Sequence, residues 1–150
     1  MAISFDYFQT RFTLSNPNKI STWIQKVVKA EKAEIESLSF VFCTDKYLLK
    51  INQDYLDHDT LTDIITFDFS EERRARGKSR LLEGEIYISI PRVRENARLV
   101  GANFEVELRR VIIHGVLHLL GYKDKSVKDK KEMRAKEDLC LGMYGKTGGQ

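Results

Sequence analysis

The run Val111-Ile112-Ile113-His114-Gly115-Val116-Leu117-His118-Leu119-Leu120-Gly121-Tyr122-Lys123-Asp124 decides how this chain is read. It holds two of the three histidines of the chain, four residues apart. On a helix, side chains at i and i+4 share a face, so two imidazoles at that spacing can grip one cation. Gly121 follows His118 by three residues, where a glycine can take the left-handed conformation that ends a helix and folds the chain back. Asp124 comes six residues after His118, on the returning chain, in place to supply a third ligand. His114, His118 and Asp124 are the candidate metal ligands. The pattern H-x-x-x-H-x-x-G-x-x-D has the ligand spacing of long zinc-protease motifs, with Asp in the place of the final His. Imidazole donors favour a single Zn²⁺, and three protein ligands leave one position for water. The Asp adds negative charge, which makes the ion a weaker Lewis acid than three neutral imidazoles would. Gly115 stands where those proteases carry their general-base Glu, so peptide hydrolysis is disfavoured while metal binding is not.

Working outward, the helix that carries the pair is predicted over about Phe104–Leu120. A preceding helix opens at Pro91 and runs to about Gly101, and a following one covers about Val127–Leu141, leaving Gly145–Gln150 as a frayed tail. Toward the N-terminus, Ile20, Trp23, Ile24, Val27 and Val28 recur at helical spacing behind Pro17, with Ser15 or Asn16 as the cap. Thr44 or Asp45 caps a short helix through Tyr47, Leu48, Leu49 and Ile51, and Asn52–Thr60 reads as polar and turn-like. Four strands are predicted: a weakly alternating edge at Ile3–Tyr7, then Leu38–Cys43, Ile64–Phe69 and Glu85–Ile90, the last two flanking an exposed basic loop over 70–80. The fold class is α+β, a small mixed sheet of about four strands packed with about five helices, one of them a zincin-like metal-binding helix.

Composition sets the limits around this. At 150 residues the chain has the length of one domain, expected to span 1–150, and 42% hydrophobic residues exclude disorder. The most apolar stretch, Val111–Leu120, is far shorter than the ~20 residues of a membrane span. No basic start followed by an apolar run marks a secretory leader, and Cys43 and Cys140 read as reduced thiols, so a soluble cytoplasmic protein is expected. Charge is uneven: residues 1–70 carry 7 basic and 10 acidic side chains, and residues 71–150 carry 18 and 12. Arg73, Arg74, Arg76, Lys78 and Arg80 form one basic cluster. Lys123, Lys125, Lys128, Lys130, Lys131, Arg134 and Lys136 form another. Both would attract a polyanion, although on charge alone a solvated loop and a solvated helix face are the favoured reading.

The run His114-Gly115-Val116-Leu117-His118-Leu119-Leu120-Gly121-Tyr122 resembles the signature of the YbeY family of bacterial endoribonucleases and rRNA maturation factors. Thr44-Asp45, Leu49, Asn52, Tyr55 and Thr62-Asp63-Ile64-Ile65-Thr66-Phe67 follow that family's central blocks in order. Gly84-Glu85-Ile86-Tyr87-Ile88-Ser89 is similar to its next strand. The resemblance implies a zinc-dependent, single-strand-specific endoribonuclease acting in 16S rRNA 3′-end maturation and small-subunit quality control, with His114, His118 and Asp124 as ligands and catalytic residues. The implied partners are the 16S rRNA precursor, the small ribosomal subunit and its assembly factors, with neither DNA nor a membrane. The chain departs from the family at Asp124, which replaces a third His, and at Leu56 and Leu61, which replace an Arg and a Pro. That Arg is a phosphate clamp, and a cation from Arg73–Arg80 is its candidate substitute. Asp63 and Glu85 are candidates for orienting a ligand His or accepting a proton, and Tyr122 for stacking an unpaired base. Two alternatives stay open: a non-catalytic RNA-binding assembly factor with a structural zinc, and a metal-dependent hydrolase of another substrate.

Overall fold

The structure is a computed structural model that describes residues 2–56, 61–70 and 80–148. The described elements run β1 (Ala2–Tyr7), α1 (Pro17–Ala30), β2 (Glu34–Cys43), α2 (Asp45–Leu56), β3 (Ile64–Asp68), β4 (Leu81–Ser89), α3 (Ile90–Val100), α4 (Phe104–Leu119) and α5 (Val127–Lys146). The sheet order is β1-β2-β4-β3. β1, β2 and β4 are parallel, and β3 is antiparallel to β4, so the sheet is mixed as predicted. Helices supply the crossovers that parallel neighbours require.

The two central strands, β2 and β4, bury alternate residues, and the register explains which. Leu38 pairs with Gly84 and Phe40 with Ile86, which aligns Leu38, Phe40, Ile86 and Ile88 on one face. Ile35 is buried as well, out of step with Leu38 by one position. An irregularity between Ile35 and Ser37 absorbs the difference, as a bulge must if both are to face the core. Against this face pack Trp23, Ile24, Val27 and Val28 of α1 and Ile112, Ile113, Val116 and Leu117 of α4. Burial of each such side chain contributes about 1.5–3 kcal/mol. A smaller cluster of Cys43, Leu48, Ile51 and Ile65 lies between α2 and the sheet.

Several boundaries move from their sequence-based positions, each for a physical reason. The N-cap of α1 is Asn16, but its backbone is left-handed (φ 54°) and its side chain caps nothing, so Pro17 starts the helix through its fixed φ alone. At α2 the cap is Thr44, whose Oγ1 accepts from the Tyr47 N–H at 3.2 Å. α2 continues to Leu56, through residues whose polarity reads as a turn, because Asn52 lies on its buried side. α5 passes Leu141 and ends at Lys146, and Thr147 is buried with its hydroxyl on the Met143 carbonyl at 2.8 Å. The tail is thus anchored to that point. Of the predicted basic loop, residues 71–79 lie outside the described residues, while Ser70 is fully buried and donates twice to Asp68 Oδ1.

Candidate metal centre

α4 begins at a capped end, with Asn103 Oδ1 accepting from the N–H groups of Glu105 and Val106. Its other end is closed by a Schellman turn. Tyr122 N–H donates to Leu117 O and Gly121 N–H to His118 O, both at 3.0 Å, with Gly121 at φ 107°. This turn reverses the chain so that Asp124 faces the helix it has just left. One ligand atom from each of His114, His118 and Asp124 lies within 4.8 Å of the other two. His114 Nε2 and Asp124 Oδ2 are 3.5 Å apart. Donors bound at ~2.0–2.1 Å around a tetrahedral ion stand about 3.3–3.4 Å from each other, so the spacing suits a small cation. Two imidazoles and a carboxylate are a donor set that a metal such as zinc takes readily.

The His114 ring is held by its other nitrogen. His114 Nδ1 lies 2.6 Å from Glu137 Oε2, which directs Nε2 toward Asp124. Glu137 is 4% exposed and also accepts from Arg110 Nη1 at 2.8 Å, while Arg110 Nη2 reaches Asp138 at 2.7 Å. Burial disfavours a charged His114, yet the hydrogen bond and charge of Glu137 outweigh it and hold the imidazole above its ordinary pKa. Burial and the neighbouring His114 push His118 down. Burial raises Glu137, but hydrogen bonds from His114 and Arg110 overcome that and leave it below the usual carboxylate range.

The structure brings the three candidate ligands together, and the sequence reading missed Glu137, the carboxylate on His114. Glu137 had a signal: Met133, Glu137, Cys140 and Tyr144 are the buried residues of α5, and an acid in an otherwise apolar register calls for a buried partner. Asp63 and Glu85 do not hold the histidines. Asp63 lines the same cleft as His114, where burial raises its pKa, and Glu85 accepts from the Tyr87 hydroxyl at 3.0 Å beside an aromatic pocket. Tyr122 spends its hydroxyl on Glu31 Oε1 at 3.0 Å, and Lys136 binds Glu31 at 2.6 Å, so the tyrosine ties the ligand turn to α1 and α5 rather than standing free for a base.

Gly115 is explained by packing. A Cβ there would lie 3.0 Å from Ile64 Cδ1 and 3.1 Å from Ile86 Cδ1, so this side of α4 presses on the sheet and a general-base side chain has no room. Two clefts adjoin the histidines. One, of about 380 Å³, is lined by His114, Asp124, Asp63, Glu107, Arg110 and residues of α5. The other, of about 440 Å³, is lined by His118, Asn52, Leu56, Thr62, Thr66 and Asp68. Ile64 borders both. Leu56 thus occupies the cleft wall with an apolar side chain. Arg80, the described member of the first basic cluster, donates to the Glu31 carbonyl at 2.8 Å. No described helix is long and apolar enough to cross a membrane.

The family model "Endoribonuclease YbeY" matches residues 5–145. A Cytophaga hutchinsonii protein named Endoribonuclease YbeY is 50% identical over 134 residues, covering 89% of this chain and 90% of that one. Its namesake from Amoebophilus asiaticus is 47% identical, covering 87% and 85%. The solution structure of TM1509 from Thermotoga maritima superposes with a TM-score of 0.64 at 28% identity, covering 96% of this chain and 89% of that one. With the family model matched from the first strand to the last helix and relatives of that name up to 50% identical, the chain belongs to the endoribonuclease YbeY family.

Proposed function

We propose that this protein is a zinc-dependent endoribonuclease that hydrolyses single-stranded RNA, working in the cytoplasm as one domain over 1–150 in 16S rRNA 3′-end maturation and small-subunit quality control. The observation that carries the reading is the convergence of His114, His118 and Asp124 beside two open clefts, with His114 Nε2 aimed inward by Glu137. These three residues would hold the ion and are the proposed catalytic set. Zinc bound there would supply Lewis acidity and a water of lowered pKa.

The chain's own groups do the rest. Glu137, fixed by Arg110, keeps one imidazole in the tautomer that leaves Nε2 unprotonated. Asp63 sits in the same cleft with a raised pKa, which suits a group that takes a proton from attacking water and returns it to the leaving oxygen. In that hydrolysis water adds to phosphorus, one P–O ester bond breaks, and the departing oxygen gains a proton. Unpaired bases can be splayed along the two clefts, which favours a single strand. The absence of a carboxylate at Gly115, for want of space, weighs against peptide hydrolysis.

The test is metal analysis of the purified protein beside cleavage of a single-stranded RNA, for wild type, His114→Ala and Asp124→Ala. One zinc per chain and cleavage in wild type, with both lost in His114→Ala, is expected. Full zinc with no cleavage of any RNA by wild type would favour the assembly-factor reading.

A further inference from the structure

One face of α5 turns Lys130, Met133, Arg134 and Glu137 toward the cleft at His114. The spacing places them on a single side of the helix. Met133 and Glu137 are buried and seat that face, while Lys130 and Arg134 are exposed at the cleft mouth beside Asp124. Of the other cations near the site, Arg110 is engaged by Glu137 and Asp138, Lys136 by Glu31, and Arg92 by Asp45, while Lys123 and Lys125 flank Asp124 in the chain but do not line the cleft. Among the described residues, Lys130 and Arg134 form no ion pair. The opposite cleft, at His118, has no cation among its described lining residues and carries Leu56 instead. Asp63 and Glu107 also line the first cleft and would repel a phosphate, so positive charge at its mouth has a definite task there.

We propose that Lys130 and Arg134 are the phosphate-positioning residues of this protein, gripping the RNA backbone beside the scissile bond from α5. This rests on the endoribonuclease reading and deepens it: the strand is held from the Asp124 side, and the described wall at Leu56, Asp68 and His118 offers no lysine or arginine. Arg134 can grip a phosphate with two parallel N–H donors, whereas Lys130 acts as a point charge.

The experiment compares zinc-loaded wild type, Lys130→Ala/Arg134→Ala, Arg134→Lys and Lys128→Ala/Lys131→Ala on one single-stranded RNA across a series of salt concentrations. Lys128 and Lys131 lie on the same helix but outside the cleft lining, so that variant removes equal charge elsewhere. The cleft double variant is expected to keep its zinc and lose at least about tenfold in kcat/KM, mainly through KM. Its slope of log(kcat/KM) against log salt should become shallower by about 1.4, two phosphate contacts on a single strand. Arg134→Lys should recover part of the loss, and the outer double variant should stay within about threefold of wild type. An unchanged slope and kcat/KM in the cleft double variant, or an equal loss in the outer one, overturns the proposal while leaving the endoribonuclease reading intact. Wild type that binds zinc and cleaves no RNA overturns both.

Discussion

Glu137 Oε2 stands 2.6 Å from Nδ1 of His114, joining residues 23 positions apart and fixing which nitrogen of the ring faces Asp124. The pair converts two separate helices, α4 and α5, into one rigid frame for the ligand cluster. Replacement by Gln keeps the shape and removes the charge. Glu137→Gln is expected to weaken zinc affinity by about 10–100-fold and to cost about 1–3 kcal/mol through the altered bonds to His114 and Arg110. Chelator competition and the urea midpoint measure the two effects. Wild-type zinc affinity in this variant would deny Glu137 its orienting role.

Gly121 bears the reversal that delivers Asp124. Its φ of 107° is strained for any residue with a Cβ, yet nothing lies within 4 Å of where that Cβ would go, so the cost of Gly121→Ala is conformational alone. A loss of about 1–2 kcal/mol in stability is expected, together with weaker zinc binding as the turn relaxes. Thermal melts with and without zinc check both, and a fully wild-type variant would mean the turn does not constrain the ligand.

Gly115→Glu tests why the protein lacks a peptidase base. The new side chain would meet Ile64 and Ile86 and bury an unpaired carboxylate, so destabilisation above about 3 kcal/mol is expected, with no peptide cleavage gained. A variant that melts like wild type would show that this side of α4 is open after all.

Acid sensitivity follows from Glu31. Burial raises its pKa, but hydrogen bonds from Lys136 and Tyr122 outweigh that and set it below the ordinary glutamate value. A carboxylate with a depressed folded-state pKa stabilises above its unfolded pKa, near 4.3, and that contribution is lost as pH falls through the folded value. Urea midpoints for wild type and Glu31→Gln should therefore differ at pH 7 and converge as pH drops below about 4. A constant gap down to acid pH would show that the charge of Glu31 does not tie the ligand turn to α1.

Local patterns made most of the fold and the convergence of His114, His118 and Asp124 readable. The His114–Asp124 spacing needs only a helix and a glycine stop, and the buried alternation of β4 is written in Leu82, Ile86 and Ile88. What stayed hidden depends on tertiary packing. β2 begins before Leu38 because an irregularity lets Ile35 rejoin the core, and the polar end of α2 is helical because Asn52 is buried. The last turns of α5 hold on to Trp23, whose Nε1 donates to the Cys140 carbonyl at 2.7 Å and whose ring meets Tyr144 edge-on. Glu137 could be flagged from its register, but its partner lies on another helix, and no spacing rule in one sequence names it.

The most direct test of the account is zinc-edge anomalous diffraction from a crystal of the zinc-loaded protein. One peak is predicted, about 2.0–2.2 Å from His114 Nε2, a ring nitrogen of His118 and a carboxylate oxygen of Asp124. Zinc bound at other residues, with these three groups left apart, would contradict it.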